Sequence, residues 1–68
     1  MGRAGRQVAR LPELIDIEDV AKALGVSVRY VRRRVFENRI PYVKMGRLLR
    51  FDPEELAPWI DAQRVDVR

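Results

Sequence analysis

Two short apolar stripes with helical spacing, separated by Leu24-Gly25-Val26-Ser27, leave this chain few folds to choose from. In the first stripe Ile17, Val20, Ala21 and Leu24 stand at i, i+3, i+4 and i+7, one face of a helix turned toward a core. Asp16 is placed to cap its start, and Asp19 adds a second carboxylate in the first turn, where the helix macrodipole favours it. Gly25 stops the helix, because it enters the left-handed region without Cβ strain. Ser27 then caps a second helix expected to run to about Asn38. In that helix Val28, Val31 and Val35 gather on one side and Arg29, Arg33 and Glu37 on the opposite side, with Tyr30 and Phe36 flanking them. The pattern therefore predicts two helices joined by a three-residue turn.

Charge says what the second helix faces. Eight of the fourteen basic residues lie between Arg29 and Arg50, against one acid, Glu37. The net +4 thus divides into roughly +7 on this stretch and −3 elsewhere, a field that a phosphate backbone attracts. An ordinary solvated helix face mixes signs for i,i+4 pairing. Here Arg29, Arg32, Arg33 and Arg34 crowd six residues and repel one another unless an anion sits opposite. Arg32 and Arg34 fall at the margins, where their aliphatic stems can lie along the core while the guanidinium groups reach phosphate. The layout is that of a helix-turn-helix whose second helix lies against DNA.

A chain of 68 residues makes one small domain, burying only about 60% of its unfolded surface. With no cysteine and no histidine it has no disulfide framework and no ordinary zinc ligand set, so apolar packing holds the fold, and neither metal nor cofactor is expected. Missing disulfides suit a reducing cytoplasm, and no run of residues has the length and apolarity of a membrane span or signal peptide. A soluble protein of the cytoplasm, nucleoid-associated in a bacterial host cell, is the expected setting.

Residues 1–12 read as a flexible basic arm, either a solvated terminus or a segment that finds a groove on binding. Residues 13–63 form the domain, and residues 64–68 are expected to fray. After the second helix, residues 40–51 read as a short β-hairpin. If Val43, Leu49 and Phe51 all face the core, Val43 opposes Leu49 and Lys44 opposes Leu48, leaving Met45-Gly46-Arg47 as a three-residue turn. Tyr42, Lys44 and Arg50 then point outward, so Lys44, Gly46, Arg47 and Arg50 make a basic wing. Asp52-Pro53-Glu54-Glu55 announces a last helix, with proline at its first position and Leu56, Trp59 and Ile60 as its apolar stripe. Pro58 removes a backbone hydrogen bond and crowds the carbonyl of Glu54, so a kink or a fresh helix start is expected there. Trp59 is read as core.

The run from Glu13 through Leu24-Gly25-Val26-Ser27, then Arg39-Ile40-Pro41, Lys44-Met45-Gly46-Arg47, Arg50-Phe51 and Asp52-Pro53-Glu54-Glu55-Leu56, resembles the phage excisionases (recombination directionality factors) of the mycobacteriophage type. Their DNA-binding head is shared with MerR-type transcription regulators. The resemblance covers residues 13 to about 63 and implies a mainly α fold with a small β-hairpin, a winged helix-turn-helix. It also implies that Ser27, Arg29, Tyr30 and Arg33 enter the major groove, and that Lys44, Gly46 and Arg47 meet the backbone or minor groove. Two positions depart from the family pattern: Arg34 stands where an apolar residue is common, and Pro58 interrupts a closing helix that is normally continuous.

MerR-type regulators continue from this head into a long dimerisation helix and an effector domain, whereas this chain stops soon after Ile60, so an excisionase is expected. By resemblance it would bind repeated sites in a phage attachment region, bend the DNA and direct a tyrosine integrase toward excision, without cutting DNA itself. A small stand-alone MerR-like repressor is the alternative, and an antitoxin-like module meeting an acidic protein is a third reading. Catalysis has little to stand on, since histidine and cysteine are absent and the carboxylates are accounted for by helix starts. Without a heptad seam the free protein is expected to be a monomer that meets neighbouring copies of itself on DNA.

Overall fold

In a computed structural model, residues 11–66 are described. The basic arm assigned to residues 1–12 lies outside them except for Leu11 and Pro12, both exposed, as do the last two residues of the expected fray. Five elements follow in order: α1 (Ile17–Leu24), α2 (Val28–Phe36), β1 (Val43–Met45), β2 (Leu48–Arg50) and α3 (Pro53–Gln63). Three helices and an antiparallel hairpin make a winged helix-turn-helix, the fold class that the resemblance implies. Among the described residues no helix is long and apolar enough to cross a membrane.

Local chemistry sets the helix ends. The Asp16 carboxylate accepts the Asp19 N–H at 2.9 Å, and the same bond is the chief cause holding the Asp16 carboxyl below its ordinary value of 3.8. Gly25, at φ +72°, donates to Lys22 O while Val26 donates to Ala21 O, a Schellman closure that satisfies two helix-end carbonyls. Ser27 follows in extended conformation, and its Oγ accepts the Tyr30 N–H at 3.0 Å.

The end of α2 differs from the expected stop near Asn38. The helix finishes at Phe36, and Asn38 takes the left-handed position at φ +56°. Asn38 N–H then bonds Val35 O at 2.9 Å and Arg39 N–H bonds Arg34 O at 2.8 Å, a second Schellman closure. Asparagine tolerates this conformation where most side chains do not. The turn sends the chain back so that Ile40 enters the core.

The hairpin register also differs. Val43 pairs with Arg50, Lys44 with Leu49 and Met45 with Leu48, leaving a two-residue turn, Gly46-Arg47. Gly46 has φ +62° and Arg47 has no positive φ, the type II′ pattern whose twist matches the flanking strands. A one-residue shift exchanges faces. Leu49 and Tyr42 pack against the core, whereas Val43 leaves the core face and shares its side with Arg50. The expected common outward face of Tyr42, Lys44 and Arg50 is therefore divided.

A third rung joins the sheet from the N-terminal side. Ile15 and Phe51 exchange both backbone hydrogen bonds, at 2.9 and 2.8 Å, so the segment before α1 is tied beside β2. Phe51 is fully buried among Val20, Ala21, Val31, Ile40 and Leu56.

Asp52 starts α3 by accepting the Glu54 N–H at 3.0 Å, with Pro53 at the first position. No fresh helix starts at Pro58, and one helix runs through it. Both Pro58 and Glu54 are exposed, so water can take the carbonyl left without a donor. The side chains on either side of the proline hold the helix in place: Leu56 is in the core, and Trp59 Nε1 donates to Arg39 O at 2.8 Å. That bond fastens α3 to the segment leading out of α2.

Candidate nucleic-acid interface

Helix α2 exposes Arg29, Arg32 and Arg33 because the turn before it fixes its direction and Val31 fixes its rotation, being fully buried. Val28 and Val35, half-buried, pack beside it. Spaced i, i+3, i+4 and i+7, Arg29, Arg32, Arg33 and Phe36 line one surface depression. A second depression lies between the end of α2 and the hairpin, lined by Val35, Phe36, Asn38, Tyr42, Lys44, Arg47 and Leu49. The revised register places Lys44 there, opposite Leu49 and facing α2. Helix and wing cations thus form one continuous basic surface with Phe36 between them.

Three of the sequence-derived candidates stand apart from this surface. Arg34 projects from the side of α2 facing away from Phe36, about 160° around the axis at 100° per residue. Its side chain is only 24% exposed, and its guanidinium lies 4.8 Å from the Tyr30 ring centroid, a cation–π contact. An arginine thus sits at the margin of the core: its stem is partly covered and its charge is shared with an aromatic face and a carboxylate. Tyr30 is bound up in the same contact. Arg50 is half-buried on the other face of the hairpin from Lys44, its Nη1 donating to Leu49 O at 2.8 Å and its charge adding a smaller pull on Asp16. Ser27 sits at the N-terminus of α2 with its Oγ engaged as the cap, and Gly46 forms the turn at the wing tip.

Glu37 answers the mutual repulsion of the arginines. Its carboxylate lies 3.5 Å from Arg33, 3.3 Å from Arg34 and 3.8 Å from Arg39. Arg29 and Arg32 have no such partner among the described residues. The lone acid of the basic stretch is therefore an internal counter-ion: helical spacing brings it to Arg33 and Arg34, and the Asn38 turn adds Arg39. The pairs with the exposed Arg33 and Arg39 are worth little by themselves, about 0–1 kcal/mol, and the partly covered Arg34 keeps its contact with the Tyr30 ring when Glu37 loses its charge. Glu37→Gln should accordingly leave the melting temperature nearly unchanged while strengthening binding to an arbitrary duplex about five-fold at low salt, an advantage that fades as salt screens it. Fluorescence anisotropy across a salt series checks this, and weaker binding would show that Glu37 positions the arginines instead of competing for them.

Among the described residues no group of three or more carboxylates could hold a metal ion. The surface offers guanidinium and ammonium donors around an apolar centre, an arrangement suited to an anionic polymer. A family model described as a helix-turn-helix domain matches residues 14–64, nearly all of the described chain. No curated protein and no solved structure matches it.

Proposed function

Since the chain belongs to the helix-turn-helix domain family, with double-stranded DNA as the partner that such a domain suggests, we propose that it is a sequence-specific architectural DNA-binding protein of the excisionase kind. The carrying observation is the continuity of the basic surface from Arg29, Arg32 and Arg33 on α2 to Lys44 and Arg47 on the wing. In this reading α2 lies in the major groove and the wing neutralises phosphates alongside it. The order of parts that resembles the excisionases extends the reading to bending of repeated sites and to directing a tyrosine integrase toward excision, with no cleavage by this chain.

Size shapes the mode of action. A single module buries about 600–1,000 Å² of its own surface on DNA, so one isolated site is a modest target. Several copies on one duplex raise each other's effective concentration and convert weak encounters into intramolecular ones. The acidic excess outside residues 29–50, including Glu54, Glu55 and Asp61, all exposed, offers a surface for a neighbour's basic margin.

Sedimentation of the free protein, with gel-shift titrations on duplexes carrying one or several sites, tests the proposal. The expected result is a free monomer whose binding weakens steeply with salt, loads cooperatively on repeated sites, and slows the gel migration of a duplex most when the sites lie at its centre. Independent occupancy without bending would leave a stand-alone repressor as the better reading. Indifference to duplex DNA at low salt would overturn the nucleic-acid reading itself.

A further inference from the structure

The five aromatic side chains of this protein have different surroundings, and one of them is out of place in a fold this small. Phe51 is fully buried, Trp59 donates to Arg39 O, Tyr42 donates its hydroxyl proton to Asn38 Oδ1 at 3.2 Å, and Tyr30 lies against Arg34. Phe36 is 88% exposed in the last turn of α2 and has no aromatic, cationic or hydrogen-bonding contact among the described residues. It lines both depressions of the basic surface, with Arg29, Arg32 and Arg33 on one side and Lys44 and Arg47 on the other.

Resting on the DNA-binding reading above, the structure assigns Phe36 to specificity: it reads the C5-methyl group of thymine in the major groove. A groove presents anionic phosphates along both rims, and the thymine methyl is the apolar feature of its floor. Cations on two sides of an exposed phenyl ring match that pattern. Phenylalanine carries no donor or acceptor, so it takes no part in reading guanine or adenine edges; those are left to the arginines one and two turns earlier. An apolar pocket on a protein partner would need acids on opposite rims to satisfy the same five cations.

The test uses a duplex enriched from a random library by the wild-type protein, with each thymine replaced singly by deoxyuridine, which removes only the methyl group. At one or two positions the replacement should weaken wild-type binding about four-fold, the effect of withdrawing one methyl-sized apolar contact. Phe36→Ala should bind the parent duplex correspondingly less well and be indifferent to deoxyuridine at those positions, while Phe36→Leu retains part of the sensitivity. Its exposure means that Phe36→Ala should keep the wild-type melting temperature. The assignment is overturned if wild-type protein prefers the enriched duplex yet tolerates deoxyuridine everywhere, if Phe36→Ala keeps the sensitivity, or if the enriched duplex holds no thymine. Failure to enrich any duplex would overturn the DNA-binding reading and the assignment with it.

Discussion

Phe51→Ala should leave the domain largely unfolded at physiological temperature. Phe51 is fully buried, it is tied through both backbone hydrogen bonds to Ile15, and its ring lies where α1, α2, the hairpin and α3 meet. Removing such a ring costs about 3–5 kcal/mol, through lost burial and the cavity left behind. Domains have about 0.05–0.15 kcal/mol of stability per residue, so a folded unit of this size holds only about 3–8 kcal/mol in all. At about 4–8 °C per kcal/mol, the melting temperature should fall by at least about 12 °C. Thermal melts followed by circular dichroism check this, with Phe36→Ala as the control because its exposed ring removes the same atoms without opening a cavity. A Phe51→Ala protein as stable as that control would mean that the core lies elsewhere.

On DNA the largest loss should come from Arg33→Ala, set against the wing. Arg33 is exposed on the face shared with Arg29, Arg32 and Phe36, and its ion pair with Glu37 is loose at 3.5 Å. If it makes a bidentate base contact, its loss should weaken binding to the specific site by about 1–3 kcal/mol and relax preference at one position. Folding should be untouched, since Glu37 keeps Arg34 and Arg39. Lys44→Ala and Arg47→Ala should behave otherwise. Each should lower affinity for specific and unrelated duplexes alike and reduce the log–log salt slope by about 0.9. Competition titrations at several salt concentrations separate the two patterns. Equal losses from Arg33→Ala on both kinds of duplex would make it a phosphate contact, and a loss confined to the specific site for the wing variants would make the wing a reader of sequence.

What the chain declares by itself is whatever rests on neighbours a few residues apart. Asp16, Ser27 and Asp52 cap helices because a short polar side chain reaches an amide two or three residues ahead, and Gly25 closes α1 because only its own backbone conformation is at stake. The valine and arginine faces of α2 follow from helical period, and with them the presence of a basic surface. Pairing across the hairpin is another matter. At the entry to β1 both Tyr42 and Val43 are apolar enough to face the core, so period-two alternation fits either face, and placing Val43 inward with Leu49 and Phe51 gives a register one residue away from the true one. A signal for the right one was present, since glycine at the first central position suits a two-residue type II′ turn. Packing decided between them, by seating Tyr42 and Leu49 against the core and turning Val43 and Arg50 to the other side.

The same division separates the rest. Pro58 looks like a helix break from local energetics, yet Leu56 and Trp59 hold the helix across it through contacts with distant parts of the chain. Arg34, by contrast, is held on the far flank of α2 by Tyr30 and Glu37, both within about one helical turn of it. Phe36 reads as a flanking residue of one helix, and only the position of the wing puts it at the middle of a cationic surface. Caps, helical faces and net charge were thus determined by the sequence alone, because their interactions span at most about one helical turn. Strand register and the setting of Phe36 were decided by the tertiary structure, because each depends on which surfaces the closing of one small core brings together.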